Sequence, residues 1–265
     1  MTYSSFDPAY FEPLYTIEDQ HFWFRTRRAV ISNMAKQITA DLEPGYRVLE
    51  IGCGTGNILQ VLQNVCSDGV VFGMDLFSEG LKYARKRTSC SLVKGDICAL
   101  PFSKKLDLIG LFDVLEHIPD DTKVLVDLQA LLADNGVLLL TAPAHPWLWS
   151  YFDDASHHCR RYELTELKNK LTSTGYRIEY ITYYMSIILP FVWMERRLKG
   201  MTHKRPVDYK PSDELCIIPV ANDLLAELLS IEARLIARKY NLPIGTSLLA
   251  VASKAPEVSR NSGMD

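Results

Sequence analysis

The run Val48-Leu49-Glu50-Ile51-Gly52-Cys53-Gly54-Thr55-Gly56-Asn57 predicts a buried strand that breaks into a glycine turn. Three glycines at alternate positions let the backbone turn sharply and approach a ligand where a Cβ atom would collide. A helix that begins near Ile58 would then point its first backbone amides at the bound molecule. The run therefore predicts a strand, a turn and a helix that together hold a nucleotide-like ligand.

Helical and strand-like segments alternate along the rest of the chain. Such alternation implies parallel strands joined by right-handed crossovers. Residues 25–38 predict an earlier helix, because apolar residues recur there every four positions. The later predicted helices are 58–64, 81–87, 121–133, closed by Asn135-Gly136, and 162–174. The predicted strands after the first are 70–75, a short third strand before Gly95, 106–112, 137–141, 176–183 and 247–253.

The second predicted strand ends in a carboxylate, Asp75, about twenty residues beyond the glycines. In a doubly wound sheet, a carboxylate at this place accepts hydrogen bonds from ribose hydroxyls. The alternative is a purely structural role, in which Asp75 caps the helix that begins near Ser78.

The spacing of the glycines separates two classes of dinucleotide-like site. In the NAD-binding fingerprint the third glycine comes one residue later, where this chain has Asn57. With Glu50 two positions before the first glycine, the run resembles the first motif of class I S-adenosylmethionine (SAM)-dependent methyltransferases. The resemblance implies an α/β fold with a Rossmann-like, doubly wound, seven-stranded sheet whose last two strands form an antiparallel edge pair. It also implies SAM as cofactor and S-adenosylhomocysteine as product, while a dehydrogenase and a structural glycine turn stay as alternatives.

Two further stretches resemble motifs of the same family in the same order. Residues 95–102 resemble the adenine-side loop, in which Asp96 accepts from the adenine amino group and the Ile97 backbone meets the ring. Residues 106–117 resemble the fourth strand and its exit, which places Asp113 near the methionine part of SAM or the acceptor. The cofactor residues predicted in this way are Glu50, Gly52, Cys53, Gly54, Gly56, Asp75, Leu76, Asp96, Ile97 and Asp113.

The stretch after the fifth predicted strand, residues 142–162, contains three of the six histidines. Ligands of open parallel sheets bind beyond the carboxyl ends of the strands, so the candidate catalytic residues lie here. The stretch is similar to a bacterial small-molecule subgroup, the methyltransferase type 11-like enzymes, in which an aspartate precedes a histidine, a variable residue, two arginines and a tyrosine. Here these residues are Asp153, His158, Arg160, Arg161 and Tyr162.

His158 has two interpretations. An imidazole can take a proton from a hydroxyl or ammonium acceptor, with Asp153 fixing its tautomer. Alternatively, His158 and the arginines hold the loop to the sheet edge by hydrogen bonds. His117 and His145 are the other candidate catalytic residues, and the aromatic residues predicted to bind substrate are Tyr15, Trp23, Trp147 and Tyr151.

The predicted organisation has an N-terminal aromatic-rich cap at 1–43, a SAM-binding core at 44–183, a helical insertion or lid at 184–245, a last core strand at 246–254 and a disordered tail at 255–265. Within the insertion, residues 220–240 predict an amphipathic helix. Its predicted apolar face covers part of the fold as a lid, or builds a dimer contact instead. That face consists of Leu224, Leu225, Leu228, Ile231 and Leu235.

The most apolar run, residues 185–194, is too short to span a bilayer and contains Pro190. Basic residues follow it, so peripheral membrane contact is one interpretation and a lid over an apolar substrate pocket is the other. The basic residues are Arg196, Arg197, Lys199, Lys204 and Arg205.

Composition limits the possible partners. A net charge of −3 gives no general attraction to nucleic acid, and no nucleic-acid module is recognised. Six cysteines without zinc-type spacing predict no metal site and reduced thiols in the cytoplasm.

The fourth strand ends in Phe112-Asp113-Val114-Leu115, which lacks the Asp/Asn-Pro-Pro-aromatic signature of nucleobase methylation. We therefore expect O or N methylation of a small or lipid-like organic acceptor by a monomer or homodimer, with protein or RNA methylation and a non-catalytic SAM-binding protein as alternatives.

Overall fold

The computed structural model describes residues 6–201 and 217–256, with residues 199–201 described by their backbone alone. In this part of the chain seven strands form one sheet in the order β3-β2-β1-β4-β5-β7-β6. The strands are β1 (Arg47–Ile51), β2 (Val70–Asp75), β3 (Ser91–Lys94), β4 (Leu106–Phe112), β5 (Leu132–Pro143), β6 (Tyr176–Tyr184) and β7 (Ser247–Lys254).

The direction of the strands divides the sheet into two parts. Strands β1 to β5 pair in parallel, whereas β7 runs antiparallel between β5 and β6. The doubly wound sheet with an antiparallel edge pair, predicted from the family resemblance, is confirmed. In register, Glu50 of β1 lies between Gly73 of β2 and Gly110 of β4, so no neighbouring side chain flanks it on either strand.

Helices cover both faces of the sheet. One core cluster packs Met34, Leu59 and Leu229, from three different helices, against one face. The other packs Leu125 and Leu167 against the opposite face. The helices are α1 (Phe11–Ile17), α2 (Phe22–Thr39), α3 (Asn57–Val65), α4 (Ser78–Arg87), α5 (Asp121–Leu131), α6 (Tyr151–Ala155), α7 (Leu164–Ser173), α8 (Leu189–Met201) and α9 (Pro219–Ala237).

The boundary between α5 and β5 differs from the prediction. Asn135-Gly136 does not follow the end of the helix but lies inside β5, which begins five residues earlier than predicted, at Leu132. The pairing of β5 with β4 shifts register between Leu106 and Leu108. This irregularity accommodates the asparagine and glycine within the strand, where the sequence suggested a helix end.

The apolar face predicted for α9 is wrong. Leu224, Leu228 and Ile231 are exposed, and the buried face is instead the adjacent one. That face carries small side chains, which let α9 approach α2 closely, and two polar residues. Asn222 bonds to the start of α2, whereas Glu232 accepts from the Met185 and Ser186 amides after β6. The buried residues of α9 are Asn222, Ala226, Leu229, Glu232, Ala233 and Ile236.

Helix α9 joins the N-terminal segment by hydrogen bonds that are distant in sequence. Asn222 accepts from the Phe22 amide at 2.8 Å and donates to the Gln20 carbonyl at 3.0 Å. Gln37, near the other end of α2, donates to the Ala237 carbonyl at 2.7 Å. The two helices therefore pack along one another over most of their length.

Some predicted features lie outside the described residues, namely Lys204, Arg205, Cys216 and the tail beyond residue 256. Within the described residues, no helix combines the length and the apolar character needed to cross a membrane.

Candidate functional site

The glycine turn after β1 requires glycine for both conformation and space. Gly52 and Gly56 have φ of 72° and 80°, which lie in the left-handed region. A Cβ atom on Gly52 would come within 2.4 Å of the Val114 side chain, and one on Gly56 within 2.8 Å of the Ala84 backbone. The turn is thus packed between the exit of β4 and helix α4, with α3 beginning directly after it.

Asp75 at the end of β2 holds this turn in place. Its carboxylate accepts from the Gly54 amide at 2.7 Å and from the Phe77 amide at 2.8 Å. Burial raises the pKa of Asp75. Asp75 therefore does fix the chain that enters α4, as its structural interpretation predicted, although Phe77 is the N-cap residue. Each oxygen of a carboxylate has two acceptor positions, so Asp75 can still accept from ribose hydroxyls.

Glu50 has a buried oxygen that lacks a hydrogen-bond partner among the described residues. The residue is 2% exposed, and its Oε2 makes no hydrogen bond. Burial raises the pKa of Glu50 well above its usual value, against the opposing effect of the Arg27 cation. A buried acceptor without a donor costs free energy until a ligand supplies one. The ammonium and hydroxyl groups of SAM are such donors, so Glu50 and Asp75 fit this cofactor.

The remaining predicted cofactor residues lie along the same edge of the sheet. Asp96 is exposed after β3 and accepts from the Cys98 amide at 2.8 Å, while Ile97 beside it is buried. Leu76 is exposed directly after β2, and Cys53 is buried inside the turn, where burial raises its thiol pKa. With Asp113 after β4, the ten residues lie at or just beyond the carboxyl ends of four adjacent strands.

Asp113 forms an ion pair with the N-terminal segment. Its Oδ2 lies 2.8 Å from Arg27 Nε and accepts from the Thr141 hydroxyl at 3.0 Å. Arg27 also donates to the Phe112 carbonyl at 2.8 Å. Arg27 is therefore a structural cation at the cofactor edge, whereas Arg28 pairs with the exposed Asp19.

Sequence reasoning missed the contact of α1 with the glycine turn. The Phe11 ring lies against Gly54 and Gly80, because a Cβ atom on Gly80 would come within 2.9 Å of that ring. Directly after α1, the buried Glu18 accepts from the Thr55 hydroxyl and pairs with Arg87 of α4. The spacing of Phe11 and Glu18, seven residues on one helical face, is the only signal that the sequence offers for this contact.

Asp153 is the centre of a buried network in the loop after β5. It is 0% exposed and contacts His158 Nδ1 at 2.9 Å and Arg161 Nε at 2.7 Å. Arg196 of α8 lies 3.8 Å away. Burial opposes the charge of Asp153, but the hydrogen bond from His158 and the nearby arginines lower its pKa to about 2. Asp153 therefore fixes the orientation of His158, which leaves Nε2 of the ring available for a proton.

His158 is brought against the exit of β4. Its ring meets the His117 ring edge to face, with centroids 4.8 Å apart. The next residue, Cys159, donates its amide to the Glu116 carbonyl at 2.7 Å. The side-chain atoms of Glu116, His117 and His158 that could coordinate a metal ion lie within 4.8 Å of one another. Burial and the negative charge of Asp113 raise the pKa of Glu116 well above its usual value. Sequence reasoning did not select Glu116, and the prediction of no metal stays a prediction.

His145 belongs to a different cluster. Its ring stacks on Trp147 and Tyr183, each with centroids 4.8 Å apart, and its Nδ1 lies 3.3 Å from Glu163. His145 has φ of 61°, and its buried Nε2 has no hydrogen-bond partner among the described residues.

The aromatic residues predicted to bind substrate are dispersed. Tyr15 packs on α4, with the Arg87 guanidinium 4.4 Å above its ring. Trp23 is half-buried at the start of α2, with the Arg27 guanidinium 5.4 Å from its ring. Trp147 is 52% exposed, and Tyr151 is the half-buried first residue of α6. Their substrate roles stay predictions, as do the catalytic roles of the three histidines.

Comparison with known proteins gives a consistent result. The model of a methyltransferase domain family matches residues 20–181. A probable S-adenosylmethionine-dependent methyltransferase of Mycolicibacterium smegmatis is 25% identical over 167 residues, which are 62% of this chain and 62% of that protein. The ubiquinone biosynthesis O-methyltransferase of Bordetella avium is 32% identical over 99 residues, 35% of this chain and 40% of that relative. These alignments span less than two thirds of the length of either curated relative.

A solved structure extends the agreement to the fold. The plantazolicin methyltransferase BamL, in complex with a triazolic desmethylPZN analog and SAH, superposes with a TM-score of 0.56 at 16% identity. The superposition covers 86% of this chain and 85% of that one. The superposition agrees with the fold, and the family model that matches residues 20–181 confirms the family resemblance carried by the glycine turn and Glu50.

Proposed function

The chain belongs to this methyltransferase domain family, and on that basis we propose that it is an enzyme that transfers the methyl group of SAM to an O or N atom of a small or lipid-like organic acceptor. When bound, SAM supplies an electrophilic methyl group together with its own leaving group. The protein then accelerates the reaction mainly by holding the acceptor in line with that group and by excluding water.

The observation that carries the cofactor assignment is the unpartnered, buried Glu50 Oε2 beside the glycine turn. Glu50 and Asp75 would accept from the ammonium and ribose groups of SAM. Asp96 would accept from the adenine amino group, with Leu76 and Ile97 contacting the ring. Gly52, Gly54 and Gly56 allow the backbone to approach the cofactor closely.

The charges around the site favour a small acceptor over RNA. Three arginines next to the described site are each paired with a carboxylate, as Arg27 with Asp113, Arg160 with Asp121 and Arg161 with Asp153. Paired cations do not form an open basic groove of the kind that phosphate backbones require. An acceptor that enters near His158 would meet aromatic and neutralised polar groups.

His158 is the proposed general base for an acceptor that must lose a proton. Asp153 fixes its ring, and Glu116 and His117 lie beside it at the exit of β4, three and four residues beyond Asp113. This arrangement joins the proposed base to the strand end that holds the cofactor. His145, in its own aromatic cluster, is the second candidate.

The cofactor part of the proposal is tested by calorimetric titration with SAM and S-adenosylhomocysteine. We expect micromolar binding of both ligands, lost in Asp75→Ala and retained in Asp134→Ala, which removes a fully exposed carboxylate of β5. Binding of NAD in place of SAM would contradict the assignment.

The acceptor part is tested by following S-adenosylhomocysteine formation with two acceptor panels. One panel contains phenols, amines and their long-chain derivatives, and the other contains total RNA and cellular protein. We expect product only with members of the first panel. Product only with RNA or protein would show that the acceptor class is wrong.

A further inference from the structure

Helix α8 buries a cation on the face that packs against the rest of the protein. Its Arg196 points inward, is 14% exposed, donates to the Leu148 carbonyl and approaches the buried Asp153. Val192, one turn earlier, packs against the core cluster that contains Ile188. The inward face of α8 thus includes a buried cation, whereas surface helices usually turn cations to solvent.

The outward face of α8 carries a stripe of large apolar side chains beside the exposed Glu195 and Arg197. Phe191, Met194 and Leu198 are 60%, 51% and 59% exposed, at spacings of three and four residues that align them in one stripe. Trp193 is 48% exposed, and the Arg197 guanidinium lies 5.9 Å from the centre of its ring. Single exposed apolar residues are ordinary, but a continuous stripe of large ones marks an interaction surface.

The charge of this segment favours one occupant over others. Residues 189–205 contain five lysines and arginines and one acidic residue, in a chain whose net charge is −3. Because Arg196 is turned inward to Asp153, four of these cations count toward the charge offered to a surface. Lipid headgroups of anionic bilayers attract such a segment, and tryptophan side chains prefer the interface between headgroups and acyl chains. Apolar residues next to cations on one helix are typical of helices that lie in the plane of a membrane surface.

We propose that α8 docks on an anionic lipid bilayer. Phe191, Met194 and Leu198 enter the interfacial region, and Arg197 contacts the headgroups. The docking surface goes beyond the proposed methyl transfer and is independent of it, because it depends only on exposure and charge. The docking of α8 on lipid and the proposed methyl transfer can each be true or false without the other.

Helix α9 offers a matched control within the same chain. Its outward stripe of Val220, Leu224 and Ile231 is as exposed, at 84%, 59% and 53%. Two exposed acidic residues, Asp223, which pairs with Arg25, and Glu227, lie beside this stripe together with one exposed cation, Arg234. The two stripes therefore have similar apolar exposure, but α9 lacks the excess of positive charge of residues 189–205.

The test is flotation of the full chain with phosphatidylcholine vesicles, with and without phosphatidylglycerol. We expect at least about tenfold more binding to the anionic vesicles, and a loss of about tenfold or more in the triple variant F191S/M194S/L198S. The control variant V220S/L224S/I231S retains binding. Arg197→Glu weakens binding without removing an apolar side chain, and high salt has the same effect.

Far- and near-ultraviolet circular dichroism shows that each variant is folded, and SAM titration reports separately on the proposed function. Equal binding to neutral and anionic vesicles, no binding of the wild type, or a loss that follows α9 instead of α8 overturns the proposal. Light scattering provides the remaining outcome: a dimer that the α8 variant dissociates would make the stripe an interface between two copies and would also overturn it.

Discussion

Arg27 Nε lies 2.8 Å from Asp113 Oδ2, and this ion pair joins helix α2 to the exit of β4. Both side chains are largely removed from solvent, at 12% and 21% exposure. Arg27 additionally donates to the Phe112 carbonyl, so the cation is held by two groups of the same strand end. The N-terminal segment is in this way fastened to the edge of the sheet where the cofactor is proposed to bind.

We expect Arg27→Met to lower the free energy of unfolding by about 3 to 5 kcal/mol, because it leaves the largely desolvated Asp113 carboxylate without its cation and removes the donor to the Phe112 carbonyl. Arg28→Met is the control, since Arg28 pairs with Asp19 in a half-exposed ion pair, and its loss should cost less than about 1 kcal/mol. Urea denaturation measures both values. Equal losses in the two variants would show that the Arg27–Asp113 pair has no special role.

His158→Asn should lower kcat by about 10²- to 10⁴-fold with an acceptor that must lose a proton, because the proposed general base is removed. His157→Asn changes the adjacent, exposed histidine and should leave kcat within a few-fold of the wild type. Titration with S-adenosylhomocysteine reports whether the cofactor site is intact. If His158→Asn kept most of kcat and only lowered stability, His158 would be a structural residue of the loop.

Stability should depend on pH through His21. Its Nδ1 accepts from the Trp23 amide at 3.2 Å, and burial lowers its pKa to about 4. In the unfolded chain His21 binds its proton near pH 6.5, but in the folded chain it does so only at about pH 4. The free energy of unfolding therefore decreases by roughly 2 to 3 kcal/mol as the pH is lowered from above 6.5 to about 4. His21→Asn keeps a helix-capping acceptor and does not titrate. Thermal unfolding from pH 7 to pH 4 should therefore be less pH-dependent in the variant than in the wild type.

We expect methyl transfer to continue after treatment with a chelator such as EDTA. The Glu116, His117 and His158 cluster has the donor groups of a divalent metal site, but alignment by the protein and proton transfer to His158 need no Lewis acid. The measurement is the rate of S-adenosylhomocysteine formation before and after chelation, with zinc or manganese added back. Activity that disappears with the chelator and returns with one metal would replace the proton-transfer role of this cluster by a metal site.

The sequence predicted the sheet and its glycine turn well because both depend on local patterns. Apolar runs of strand length alternate with helical periodicity, and the positions of Gly52 and Gly56 are fixed by backbone conformation and by close contacts. Asp75 and Asp96 were identifiable for the same reason, since Asp75 is the last residue of β2 and Asp96 comes two residues after the end of β3.

Features that depend on packing between distant segments were not predictable in this way. Helix α9 has two apolar stripes, and only the approach of α2 selects the one with Ala226 and Ala233. The Glu18 contacts with Thr55 and Arg87 join residues 37 and 69 positions apart, and the spacing of Phe11 and Glu18 does not identify these partners. The burial of Glu116 likewise became visible only in three dimensions.

The ion pair between Arg196 and Asp153 links α8 to the proposed base, His158. The carboxylate that Arg196 approaches is the one that orients His158. A ligand that stabilises the position of α8 in which Arg196 contacts Asp153 therefore also stabilises this arrangement of Asp153 and His158. By thermodynamic linkage the converse also holds. A lipid surface bound to α8 would then act as an allosteric effector of the enzyme, because the population with Arg196 at Asp153 rises exponentially with the free energy by which the lipid favours that position of the helix.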